Sequence, residues 1–127
     1  MAGTYTLRVE TDFAAAHRLH GYDGNCARLH GHNWKVEVEV TGRRLDGVGM
    51  VVDFKRMKQA AREVAAHLDH FYLNEIPPFD TINPTAENIA AWFYRQVGER
   101  LNTPDARVSA VTLWETERAC VTYREDE

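Results

Sequence analysis

Cys26, His30 and His32 fall within one seven-residue stretch, and His17 stands thirteen residues before His30. Histidines two apart on an extended segment point to the same face. His17 ends another strand-like run, so a neighbouring strand can bring a third imidazole to the pair. Three nitrogen ligands leave the fourth position of a tetrahedral ion open to a substrate, which is the arrangement of catalytic zinc. Zn2+ comes first because it accepts neutral imidazole in that geometry. Any one of these histidines could equally be an ordinary core or surface residue; their shared strand phase is what favours a metal. His20, in the loop after His17, is a weaker candidate and stays outside the set.

Cys26 has three readings: a fourth ligand held as thiolate in a closed structural site, an inert thiol, or a catalytic base or nucleophile activated by nearby positive charge. Spacing does not separate them. Asp69-His70 reads either as a helix end, with the imidazole favoured by the helix dipole, or as a carboxylate orienting an imidazole for general acid–base work. His67, one turn earlier, is expected to be exposed. Glu115 shares the parity of Val111 and Leu113, so its carboxylate faces the apolar side and needs a partner, a protein cation or the hydrogen-bond donors of a ligand. Cys120, in Ala119-Cys120-Val121, reads as a small buried hydrophobe.

The elements that position these groups follow from periodicity. Tyr5, Leu7, Val9, Phe13 and Ala15 alternate with polar residues and share the parity of His17, which predicts a strand from Thr4 to His17. Trp34, Val36, Val38 and Val40 alternate with Lys35, Glu37 and Glu39, which predicts a second strand over roughly Asn33 to Thr41, with His30 and His32 in phase with its apolar side. Without a bulge, all three imidazoles face inward. After a glycine-rich turn, Met50-Val51-Val52 reads as a short extended piece and Asp53 as a helix N-cap. Phe54, Met57, Ala61, Val64, Ala65 and Leu68 form the apolar stripe of a helix ending near Asp69-His70. Pro77-Pro78 makes the next segment irregular. Asn83-Pro84-Thr85-Ala86-Glu87 opens a second helix, whose buried stripe is Ile89, Trp92, Phe93, Val97 and Leu101. Strands from Arg107 to about Glu115 and from Ala119 to Tyr123 can pair antiparallel. The order is β-β-α-α-β-β, an α+β fold with a four-stranded antiparallel sheet and two helices on one face. Uncovered sheet edges make self-association an expectation.

A chain of 127 residues fits one domain, residues 1–127, with subunit contacts helping to complete its core. There is no apolar run long enough to span a membrane. The amino terminus lacks the pattern of a secretory signal, so the cytoplasm is the expected compartment. The net charge of -4 argues against general nucleic-acid affinity. Two cysteines are too few for a disulfide framework and are expected as free thiols.

Taken in order, Phe13-Ala14-Ala15-Ala16-His17-Arg18-Leu19, Cys26-Ala27-Arg28-Leu29-His30-Gly31-His32, Val52-Asp53-Phe54, Leu68-Asp69-His70, Leu73-Asn74, Asn83-Pro84-Thr85-Ala86-Glu87 and Glu115-Thr116 resemble the 6-pyruvoyl-tetrahydropterin synthase family over nearly the whole chain. Within it, the position of Cys26 four residues before His30 is most like the bacterial 6-carboxy-5,6,7,8-tetrahydropterin branch of queuosine synthesis. The resemblance implies zinc on His17, His30 and His32, a catalytic Cys26 outside the metal shell, a proton-relaying Asp69-His70 pair and Glu115 anchoring the pterin ring. It also implies the tunnelling fold, a homohexamer of two stacked trimers, and active sites between subunits. The implied reaction converts 7,8-dihydroneopterin triphosphate to 6-carboxy-5,6,7,8-tetrahydropterin, acetaldehyde and triphosphate. Two alternatives stand beside it: a triphosphate lyase making 6-pyruvoyl-tetrahydropterin, and a non-catalytic zinc-stabilised binding module.

Overall fold

The alternation that begins at Tyr5 becomes a strand of 13 residues, β1 (Tyr5–His17), paired antiparallel along its whole length with β2 (His30–Gly42). The computed structural model describes residues 3–21 and 28–126. Helix α1 (Phe54–Ala66) and helix α2 (Ala86–Leu101) follow, separated by an irregular segment with a short 3-10 turn at Leu73–Glu75, and the described chain closes with β3 (Ala106–Thr116) and β4 (Ala119–Tyr123). The sheet order is β1-β2-β3-β4. Helix α1 packs against β1, and α2 against β3 and β4. This is the expected α+β architecture in the expected order.

Inward residues of the strands, among them Val9, Phe13, Trp34, Val36, Val38, Val111 and Leu113, meet Met57, Ala61 and Val64 of α1 and Ile89, Phe93 and Val97 of α2. Burial of each large apolar side chain contributes about 1.5–3 kcal/mol, so this layer holds the sheet to the helices. The opposite face carries Arg8, Glu10, Lys35, Glu37 and Glu39 in exposed or half-exposed ion pairs of 3.4–3.9 Å. Such pairs contribute little, and they mark this face as polar rather than core. Strand β2 ends against close neighbours: a Cβ on Gly42 would lie 2.8 Å from the Asp105 carbonyl oxygen.

Several expectations need correction. His30 and His32 lie within β2, not ahead of it, because the ladder to β1 continues through the His17–His30 pair. Helix α1 stops at Ala66, with His67 as C-cap, and Leu68 to His70 form a turn in which the Asp69 N–H bonds the Ala65 carbonyl at 2.9 Å. His70 adopts φ 63°, a left-handed conformation that ends the helical path. Met50–Val52 forms no strand. Phe54 is half exposed instead of part of the buried stripe. Cys120 is exposed, because β4 is an edge strand and its core-facing neighbour is Val121. Asp53 caps α1 as expected, accepting from the Lys55 N–H, and Thr85 caps α2.

Candidate active site

His17, His30 and His32 present ligand atoms that all lie within 4.8 Å of one another. Full-length pairing of β1 with β2 produces this, since it sets His17 opposite His30 and leaves His32 next in phase. The ring orientations are set from outside the cluster. The Pro84 carbonyl lies 2.7 Å from His17 Nδ1, and the Arg28 carbonyl 2.7 Å from His30 Nδ1. A carbonyl only accepts, so each Nδ1 carries the proton and each Nε2 keeps its lone pair. Nε2 of His17 and Nε2 of His32 are buried without a hydrogen-bond partner. Two buried ring nitrogens without partners beside a third imidazole are costly in an empty core and suited to a divalent cation. The three histidines therefore fit a metal.

Burial holds the pKa of both His17 and His32 below the ordinary 6.5, opposed for His17 by the bond to Pro84 and for His32 by Glu115. Both rings are accordingly neutral, the form a metal binds. In the unfolded chain they take up protons below about 6.5, whereas the folded protein resists doing so. The metal-free protein is therefore expected to lose stability as the pH falls from about 6.5 through the lowered folded values. Melting temperature measured against pH checks this, and a flat profile over that range would contradict it.

Glu115 enters the same region from β3. Its carboxylate lies 3.8 Å from His32 Nε2 and 4.0 Å from His17 Nε2. The inward phase expected from Val111 and Leu113 is thus realised. A bulge at Ser109, where Glu39 pairs with Ala110 but Val40 with Val108, lies upstream and leaves that phase intact. On its other side, Glu115 borders an open groove of 330 Å³ with Glu87 and Cys120.

Asp69 and His70 are joined by a 2.9 Å contact between Oδ2 and Nδ1. The other carboxylate oxygen accepts from the Ala14 N–H at 2.9 Å, and this bond, followed by the one from His70, holds the Asp69 pKa below its ordinary value. The His70 N–H returns to the Ala14 carbonyl. A left-handed conformation in a residue with a Cβ is uncommon, and here three contacts fix it. The imidazole itself is largely exposed. His70 and His32 border a shared open groove of 490 Å³ whose wall includes Ala14, Ala16, Gly31, Phe71 and Tyr72. Nothing in the backbone demands glycine at position 31, where an added Cβ would meet only the Ala15 carbonyl oxygen, at 3.9 Å.

The sequence profile of the 6-pyruvoyl tetrahydropterin synthase family matches residues 6–126. The chain belongs to this family. A 6-carboxy-5,6,7,8-tetrahydropterin synthase of Synechocystis is 41% identical over 95 residues, covering 71% of this chain and 72% of the relative. A dihydroneopterin monophosphate aldolase of Pyrococcus furiosus is 36% identical over 116 residues, 91% of each chain. The structure of Caenorhabditis elegans 6-pyruvoyl tetrahydropterin synthase superposes with a TM-score of 0.88 at 28% identity, covering 98% of both chains. The architecture described above is thus the tunnelling fold of the 6-pyruvoyl tetrahydropterin synthase family.

Among the residues singled out in this family member, Cys26 lies outside the described residues. His67 is exposed, as expected, and His20 stands apart from the imidazole cluster. Lys35, close to the histidines in sequence, points to the opposite face of β2, where its ammonium lies 5.0 Å from the Trp114 ring centre and 3.9 Å from carboxylate oxygens of Glu10 and Glu37. The sequence reading missed the Pro84 carbonyl as the group orienting His17. The Asn-Pro-Thr run signalled a helix start, and nothing in it marks where a backbone carbonyl points.

Proposed function

We propose that this chain is a zinc-dependent lyase that converts 7,8-dihydroneopterin triphosphate and one water to 6-carboxy-5,6,7,8-tetrahydropterin, acetaldehyde and triphosphate on the route to 7-deazaguanines such as queuosine. The observation that carries the proposal is the convergence of three imidazoles with two buried, unpartnered Nε2 atoms. Family membership and the relative of that name support the choice of reaction. His17, His30 and His32 would hold the ion. When bound, zinc supplies Lewis-acid polarisation of the substrate's side-chain hydroxyls, making adjacent protons easier to remove.

The chain's own groups move those protons. Asp69 fixes the His70 tautomer with Nδ1–H toward the carboxylate, leaving Nε2 free to take or return a proton. Cys26 is assigned the second proton-transfer role, as thiolate. Glu115 is assigned the pterin ring, whose N–H edge would donate to the carboxylate, and its place between the imidazoles and the 330 Å³ groove supports that role. The outer positions of β1 and β4 in the sheet support assembly into a homohexamer of two trimers with pterin sites between subunits. A thiol that must stay reduced supports the cytoplasm as the compartment.

Incubation of the pure protein with 7,8-dihydroneopterin triphosphate tests the reaction. Equal amounts of acetaldehyde and triphosphate are expected. Triphosphate without acetaldehyde would make the chain a 6-pyruvoyl-tetrahydropterin synthase. Turnover of the monophosphate alone would place it with the aldolase relative. Against a silent zinc-stabilised module, in which the thiol closes the metal shell, Cys26→Ala is expected to retain metal at the parent's stoichiometry; loss of the metal would favour the module.

A further inference from the structure

The outer edge of β1 is occupied from Ala14 onward by groups that belong to no strand. Ala14 exchanges bonds with the Asp69 carboxylate and the His70 N–H, and the Ala16 N–H donates to the Phe71 carbonyl at 3.1 Å. Two residues further, the Asn74 side chain takes over: its Oδ1 accepts from the Arg18 N–H at 2.9 Å and its Nδ2 donates to the Arg18 carbonyl at 2.8 Å. Asn83 repeats the pattern on His20, accepting from the N–H and donating to the carbonyl, both at 2.8 Å. A carboxamide that binds both the N–H and the C=O of one residue imitates the pairing of a neighbouring strand. Arg18 and His20 alternate as strand residues do, so the two amides continue the ladder past the last residue of β1, which is His17.

The second amide is tied directly to the metal cluster. The residue after Asn83 is Pro84, whose buried carbonyl accepts from His17 Nδ1 at 2.7 Å. The peptide between them is held on both sides: the Asn83 carbonyl accepts from Asn88 Nδ2 at 2.9 Å, and Thr85 Oγ1 accepts from the Asn88 N–H at 3.1 Å. We infer that Asn74 and Asn83 are positioning residues of the three-histidine centre: the surrogate ladder they build on Arg18 and His20 fixes the chain after His17, and Asn83 aims the Pro84 carbonyl that orients the His17 ring. Groups that orient a metal-bound histidine through its second nitrogen typically change metal affinity 10–100-fold when lost. The inference rests on the metal reading given above and adds residues that touch neither metal nor substrate.

The test is zinc affinity of the full chain, measured by competition with a fluorescent zinc chelator well below the melting temperature. Asn83→Ala and Asn74→Ala are each expected to weaken zinc binding by roughly 10–100-fold. Asn83→Asp, which keeps an acceptor for the His20 N–H and loses the donor, should fall between parent and Asn83→Ala, and keeps the question open to measurement if the alanine variant fails to fold. Val97→Ala serves as the comparison, because it removes core packing in α2 and should lower the melting temperature while leaving zinc affinity within about twofold of the parent. Folded asparagine variants that bind zinc as the parent does would overturn the inference, as would a loss in Val97→Ala equal to theirs. A parent chain that binds no zinc would overturn the metal reading as well, so the two failures are distinct.

Discussion

Replacing His32 by alanine is expected to strip the metal from the protein and abolish turnover while the fold survives. Among the described residues, His32 supplies one of three converging nitrogens. A site of three ligands has none to spare, so affinity should fall by more than the roughly 10–100-fold cost of losing an outer-shell contact. The sign of the stability change separates this account from a packing role. In the metal-free protein, Nε2 of His32 is a buried polar atom without a hydrogen-bond partner, a condition that costs about 1–3 kcal/mol. Alanine removes that atom. Metal-free His32→Ala should therefore melt no lower than the metal-free parent, whereas the parent alone gains stability when zinc is added. Elemental analysis and paired melting curves with and without zinc check both halves; metal retained at full stoichiometry would contradict the assignment.

Asp69→Asn is expected to lower kcat by roughly 10²–10⁴-fold, with metal content and fold preserved. Asparagine can keep the oxygen that accepts from the Ala14 N–H, so the turn that carries His70 should hold. The second oxygen, which faces His70 Nδ1 at 2.9 Å, becomes an amino group that donates. His70 must then accept at Nδ1 and carry its proton on Nε2, the reverse of the tautomer a base requires. Steady-state turnover alongside metal analysis measures the effect. A change of less than about threefold would show that the pair does not move protons in the rate-determining step.

The same two sites divide what was legible in the sequence from what was not. The histidine cluster was readable because strand phase has a period of two, and Ala15, His17, His32 and Trp34 keep it without a bulge between β1 and β2. Glu115 was readable only locally: Ala106 and Val108 share the other parity, and the bulge at Ser109 switches phase before Val111 begins the run that reaches Glu115. Asp53 as a cap followed from its side-chain chemistry. By contrast, Leu68 to Asn83 contains no period to read, and its contribution is made by backbone groups and asparagine amides laid along the edge of β1. Cys120 misled because an apolar neighbourhood in sequence does not distinguish a central strand from an edge.

X-ray absorption at the zinc edge, combined with elemental analysis of the purified chain, addresses the central claim without any mutation. Imidazole nitrogens at about 2.0–2.1 Å and sulfur at about 2.3 Å are well separated in such a spectrum. One zinc per chain surrounded by three histidine nitrogens and a light fourth atom, with no sulfur, is the predicted result. A sulfur in the shell, or a chain that holds no stoichiometric metal, would contradict it.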